Sequence, residues 1–183
     1  MNKLIGSAIA LFISCTTLLS AQNPTTMVGG EVMYPQKNIV ENAVNSKTHT
    51  TLVAAVQAAG LVDALKGAGP FTVFAPTNDA FKDLPDGTVT TLLKPENKAM
   101  LTKILTYHVV PERLTVGMLK KRIKAGNGVA TLKTLSGGNL MVMMNGDNLM
   151  LKDENGATAN ITITNVFQSN GIIHVIDAVV TPK

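Results

Sequence analysis

The chain has no tryptophan, only two tyrosines and a single cysteine, Cys15. So few flat rings leave little with which to build the stacking platforms that single-stranded nucleic acids and sugars rest on. One cysteine cannot form an internal disulfide. No Gly-x-Ser-x-Gly and no His-Glu-x-x-His occurs, so neither a serine nucleophile on a sharp elbow nor a helical zinc pair is encoded. The main apolar stretch, Leu4 to Leu19, is broken by Gly6, Ser7, Ser14, Thr16 and Thr17, and is too short and too polar to span a bilayer comfortably. Charge is also modest, 16 basic against 12 acidic residues, too mild to argue for a nucleic-acid partner. No catalytic residue, metal ligand or cofactor is assigned from the sequence.

What is present begins with an export signal. Residues 1–21 read as a secretory signal peptide: Lys3 is the positive start, an apolar segment follows, and Ser20-Ala21 precede Gln22. A lipoprotein signal ending at Ser14-Cys15 is the rival reading. The apolar run continues through Thr16-Thr17-Leu18-Leu19, which favours a cut near Ala21. That cut removes Cys15 and Lys3, leaving a net charge of about +3 and no thiol. A secreted or periplasmic location follows, and surface association is compatible with it. No hydrophobic tail at Pro182-Lys183 indicates a glycolipid anchor.

Residues 22–37, with Pro24, Gly29, Gly30 and Pro35, read as a linker. Asn38 and Glu41 then have capping-box spacing ahead of a helix. Further helices are expected over Thr51–Ala59, Leu61–Lys66, a short turn capped by Thr77, a turn capped by Thr88, Glu96–Thr106 and Thr115–Lys124. Phe71–Phe74 reads as a strand. Beyond Val129, apolar and threonine-rich runs alternate with Ser136-Gly137-Gly138, Asn145-Gly146-Asp147, Asp153-Glu154-Asn155-Gly156 and Ser169-Asn170-Gly171, which are hairpin signals. Helices first and antiparallel strands afterwards argue an α+β fold. Residues 38–182 form its one domain.

Three separated stretches carry the most information: Phe71-Thr72-Val73-Phe74-Ala75-Pro76-Thr77-Asn78-Asp79-Ala80-Phe81, then Tyr107-His108-Val109-Val110-Pro111, then Asn170-Gly171-Ile172-Ile173-His174-Val175-Ile176-Asp177. In this order and spacing they resemble the first homology box, the Tyr-His motif and the second homology box of a fasciclin (FAS1) domain. The resemblance implies a wedge-like antiparallel β-sandwich with several short helices on one side. It also implies a non-catalytic cell-adhesion or extracellular-matrix module whose partner is a cell-surface or matrix protein or glycan. A monomer is expected. A different class, a periplasmic carrier of a small apolar ligand or haem, is the alternative.

Residue by residue, Phe74, Pro76, Thr77, Asn78 and Phe81 read as a strand-to-helix corner anchored by two rings. His108 follows a helix and enters a strand, so a semi-buried imidazole with hydrogen-bond partners is the reading from the residues; Pro111 between His108 and Glu112 speaks against a helical zinc pair. The resemblance adds Tyr107 and His108 as candidate interaction residues. Asn170, Gly171, His174 and Asp177 belong to a strand covered on both faces, with His174 and Asp177 on opposite sides. The Asp-Ile integrin motif of some animal members falls here on Asn165-Val166, without the carboxylate.

Two features lie outside the resemblance. Lys120, Lys121, Arg122 and Lys124 read as solvated cations at a helix C-terminus, with acidic glycan or lipid binding as the sharper reading. Met141, Met143, Met144 and Met150 read as adaptable core filler rather than a copper(I) site.

Overall fold

A computed structural model of the chain describes residues 23–183. The expected signal peptide lies outside the described residues. The helical half runs as expected. Asn38 Oδ1 accepts from the Glu41 amide and Glu41 Oε2 from the Asn38 amide, both at 2.9 Å, closing the capping box of α1 (Ile39–Ala43). Then come α2 (Thr50–Ala59), stopped by Gly60 in the left-handed region, and α3 (Val62–Lys66). After the first long strand follow α4 (Asn78–Lys82), α5 (Thr88–Leu92), a 3-10 turn at Pro95–Asn97, and α6 (Lys98–Tyr107). The last helix is α7 (Val116–Ala125), capped by Thr115. Thr88 departs from expectation: it is the first helical residue, and the cap is Gly87 at φ 78°, with no side-chain bond.

The strands are β1 (Thr26–Val28), β2 (Glu31–Met33), β3 (Phe71–Pro76), β4 (Val109–Val110), β5 (Val129–Lys133), β6 (Asn139–Asn145), β7 (Asn148–Lys152), β8 (Thr158–Gln168) and β9 (Gly171–Ile176). Seven of them form one sheet in the order β4-β3-β9-β8-β7-β6-β5. The α+β class holds. The pairings are antiparallel except one: β3 and β9 run parallel, in register from Phe71↔Gly171 to Pro76↔Ile176. Strands so far apart in sequence can pair in parallel because the whole intervening chain serves as the crossover. Register shifts between β8 and β9, near Ile161, Ile163 and Val166, bend the sheet there.

β3 and β9 divide two apolar cores. Phe74 and Ile176 face one core with Tyr107, Leu114, Leu119, Leu132, Leu140 and Leu151. Val73, Ala75, Ile173 and Val175 face the other, with Ile39, Leu52, Ala55, Leu101 and Leu105 from the helices. Burial on both faces explains why these strands read as continuous apolar runs rather than alternating ones.

Two expectations are corrected. The segment read as linker contains the β1–β2 hairpin, with Gly29 and Gly30 at φ 62° and 80° in its turn and Val28 and Met33 buried in the second core. Three-residue strands are too short for a period to show, and the Gly-Gly that reads as flexible is the turn itself. The methionines of β6 and β7 are not core filler either, Met144 being exposed. Met141, Met143 and Met150 lie half-buried on the outer face, Met143 directly opposite Met150, while Leu140, Val142, Leu149 and Leu151 take the inner face.

Candidate functional site

The three sequence boxes meet at Phe74. Its amide donates to the His108 carbonyl at 2.9 Å, and its register partner in β9 is His174. Because β4 and β9 flank β3, the Tyr-His motif and the second box lie on either side of the first. All three side chains are buried.

Each buried polar group at this junction is satisfied from inside. The Tyr107 hydroxyl donates to the Asn139 carbonyl at 2.7 Å and accepts from the Glu154 amide at 3.3 Å; burial pushes its pKa up to about 12. The ring also explains Gly138, where a Cβ would stand 2.7 Å from a Tyr107 ring carbon. His108 Nδ1 lies 2.8 Å from the Ile104 carbonyl, to which it donates, and Nε2 accepts from the Val180 amide at 3.3 Å. Burial holds this imidazole down to about 4, so it is neutral at neutral pH. His174 uses the other tautomer. Its Nε2 donates to the Leu114 carbonyl at 2.8 Å, Nδ1 accepts from the Asn165 amide at 3.4 Å, and burial again lowers its pKa.

The flanking motif residues tie helices to the sheet. Thr77 Oγ1 accepts from the Ala80 amide at 3.3 Å and caps α4. Asn78 serves a different helix: Oδ1 accepts from the Thr51 amide at 3.0 Å and Nδ2 donates to the Lys47 carbonyl at 2.9 Å, capping α2 in place of its own N-cap His49, which makes no cap bond. Pro76 ends β3 opposite Ile176, and Phe81 is half-buried against the second core. Asn170 is the most connected of them. Oδ1 accepts from the Ile39 amide at 3.0 Å, and Nδ2 donates to the Leu65 and Gly67 carbonyls, each at 2.8 Å, so one amide joins the start of α1 to the end of α3. At Gly171 a Cβ would lie 2.3 Å from the Phe71 carbonyl oxygen, which the parallel pairing forbids. Asp177 is exposed and brackets Asn160, accepting from its amide at 2.7 Å and its Nδ2 at 2.9 Å.

This arrangement positions backbone. Neither histidine has a free nitrogen facing a nucleophile. Among the described residues no group of three His, Cys, Asp or Glu side chains gathers to hold a metal. Tyr107 and His108 are 0% and 3% exposed, so neither side chain can touch a partner while the fold is intact. In the Asn165-Val166 pair, Asn165 is half-buried at φ 55° with Oδ1 accepting from the Val116 amide at 2.9 Å, and Val166 is buried.

Several structural residues escape a reading of the sequence. Asn42 exchanges hydrogen bonds with the Tyr34 backbone and donates to the Gln168 side chain, joining β2 to β8. Asp153, 1% exposed, accepts from the Asn155 and Ala157 amides at 2.9 Å through Oδ1 and from the Thr181 amide at 2.9 Å through Oδ2. Its turn was legible as Asp-x-Asn-Gly, its hold on the C-terminus was not.

A second feature is an apolar cavity of about 300 Å³ between the helices and the sheet, walled by Ile39, Leu52, Val56, Leu65, Val73 and Val109 among others. His49 lines it. Its Nδ1 is 2.8 Å from Ser46 Oγ and 3.1 Å from Thr48 Oγ1, whereas Nε2 is buried and makes no hydrogen bond. Burial lowers this imidazole's pKa, partly offset by the Ala75 carbonyl.

Comparison with known proteins fits this geometry. The family model described as Fasciclin domain matches residues 47–182. Protein sll1483 of Synechocystis sp. is 49% identical, over 99% of this chain and 93% of that protein. Immunogenic protein MPB70 of Mycobacterium bovis is 34% identical, over 89% of this chain and 78% of that protein. Transforming growth factor-beta-induced protein ig-h3 of Sus scrofa is 35% identical over 81% of this chain, which spans 20% of that longer protein. Among solved structures, the FAS1 domain pair of the insect cell adhesion molecule fasciclin I shares the fold, with a TM-score of 0.67 at 20% identity, covering 78% of this chain and 50% of that one.

Proposed function

This chain belongs to the fasciclin domain family, and from that premise we propose that it is a non-catalytic adhesion or matrix-interaction module acting outside the cytoplasm, as a monomer, on a cell-surface or matrix protein or glycan. The observation that carries this reading is the internal commitment of the motif side chains. Groups that could do chemistry are spent on holding β3, β4 and β9 together, which leaves the surface to do the work. The structural neighbour fasciclin I is itself named a cell adhesion molecule. No described helix is long and apolar enough to cross a membrane.

The contact face we assign is the outward side of the β1–β2 hairpin. Met27 and Val32 are cross-strand partners there, 64% and 37% exposed, and Tyr34 follows at 45% with Lys37 Nζ 5.1 Å from its ring centroid. Tyrosine and methionine are favoured in contact cores, and an exposed cluster of this kind is a recognised mark of interaction surfaces. The basic stretch on α7 is the weaker candidate. Arg122 is already paired with Glu112, and Lys120, Lys121 and Lys124 stand in solvent at the helix end, where they complement its dipole. Binding of the purified chain to cells or matrix, with metals removed by chelation, tests the proposal. Retained binding that falls in the folded Met27→Ser, Tyr34→Ser double variant supports it. Absence of any binding to cells, matrix protein or glycan refutes it.

A further inference from the structure

We propose that the cavity beside His49 is a binding site for a small, mainly apolar molecule carrying one hydroxyl group, such as an alkylphenol or a short alcohol, with the hydroxyl held at His49 Nε2. This goes beyond the adhesion reading and does not depend on it. Protein interiors are packed to crystal density with few voids larger than a water. A cavity of about 300 Å³ stands at the lower end of ligand sites, which run roughly 300–1,000 Å³. That size suits a substituted ring or short chain.

The polar end is set by His49. The residue is 3% exposed, yet Nε2 has no partner, whereas His108 and His174 each have both ring nitrogens engaged. Burying such a group unpaired is costly. Ser46 and Thr48 can donate to or accept from Nδ1, so the unpaired Nε2 can be a donor or an acceptor. A hydroxyl complements either tautomer, which a carbonyl does not. A single water would answer Nε2 but would leave the apolar walls unfilled, since water needs two to four polar partners.

The cavity also reaches solvent. Val44, at the end of α1, lines it and is 51% exposed; Val40 and Val53 beside it are half-buried, and Gln57 is exposed. An apolar rim of this kind lets a small ligand enter between α1 and α2 without unfolding either.

The test uses the full-length chain with 4-butylphenol and its isostere butylbenzene, read by calorimetry and by the imidazole nitrogen resonance of His49. The expected result is saturable phenol binding at one site, about tenfold tighter than butylbenzene, with the His49 signal shifting on titration. His49→Leu keeps the apolar walls and abolishes the preference between the two probes. Val56→Phe fills the cavity from two turns further along α2, leaves His49 in place and abolishes binding of both. If neither probe binds the folded chain, the site is refuted. Equal affinity for the two probes, or phenol binding that survives Val56→Phe, overturns it as well.

Discussion

The ring of Phe74 stacks on the imidazole of His174, centroids 5.7 Å apart and planes 24° from parallel. One residue belongs to the first box and the other to the second, and the parallel register of β3 and β9 sets them side by side. His174 is neutral there, because burial outweighs the hydrogen bond to Leu114. The stack is therefore an apolar contact between a phenyl ring and an uncharged imidazole, and protonation would place a charge inside a closed core.

Acid should accordingly weaken the fold above the range where carboxylates titrate. His108 is held down to about 4 in the folded state against 6.5 ordinarily, and His174 and His49 shift in the same direction. Above the ordinary value both states are neutral and stability is full. As pH falls below it, the unfolded chain binds protons that the folded one refuses, so stability drops until the folded pKa is reached. His108 alone accounts for a loss on the order of 3 kcal/mol. Urea midpoints measured from about pH 7.5 to about pH 4.5 should fall, with a shallower slope for His108→Gln. A flat profile would contradict the assignment of neutral buried histidines.

Asn170→Ala should be among the most damaging single changes outside the apolar core. It strands the Ile39 amide and leaves the Leu65 and Gly67 carbonyls without their donor. Buried unpaired groups cost about 1–3 kcal/mol each, so a total on the order of 3 kcal/mol is expected by chemical denaturation. Asn170→Asp is isosteric but turns a carboxylate oxygen toward two carbonyls, and it should be no better than alanine. Recovery of stability in the aspartate variant would show that shape, not the donor, matters.

The two phenylalanines of the first box should separate. Phe74 is fully buried, so Phe74→Ala is expected to cost about 3–5 kcal/mol. Phe81 is half-buried at the margin of the second core, so Phe81→Ala should cost less, about 1–3 kcal/mol. The sequence alone treats the two rings as equal anchors; denaturant midpoints would rank them.

Glycine substitutions give a sharper contrast. Gly171→Ala forces a Cβ to 2.3 Å from the Phe71 carbonyl and should open the start of the β3–β9 pair. Gly146→Ala meets nothing within 4 Å and bears only the strain of φ 59°, about 1–2 kcal/mol. Comparable melting temperatures for the two variants would contradict the close approach at Gly171.

Much of this was legible in the sequence, and the reasons for what was not are physical. Capping at Asn38 and Thr77, the stop at Gly60 and the four late hairpin turns rest on local chemistry, which a short window of residues displays. The parallel pairing of β3 with β9 has no local signature, because the partners lie about a hundred residues apart and each is apolar on both faces. The hairpin at Thr26–Met33 was hidden by its brevity. Exposure of Met141, Met143 and Met150 depends on which face of β6 and β7 the core occupies, and thioethers suit either. Among the motif residues, identity predicted structural duty at His174 and Asn170, but no pattern announced that Tyr107 would be closed off by Asn139 and Glu154. The unpaired Nε2 of His49 is likewise a tertiary fact.

The adhesion surface offers the last prediction, because exposure separates the two places where contact could be made. Tyr107 and His108 are buried and hydrogen-bonded, so Tyr107→Phe should lower stability by about 1 kcal/mol through the lost hydroxyl bonds. Any change in cell or matrix binding by that variant should vanish at temperatures where it remains folded. Met27, Val32 and Tyr34 are exposed on the hairpin, so serine at these positions should leave the melting temperature nearly unchanged while reducing binding. Replacing Lys120, Lys121 and Lys124 by glutamine should alter neither stability nor binding beyond a small salt-sensitive component, since exposed charges are screened over about 8 Å at physiological ionic strength. If binding instead follows the lysines and disappears with salt, the partner is an acidic glycan or headgroup and the contact face moves from the hairpin to α7.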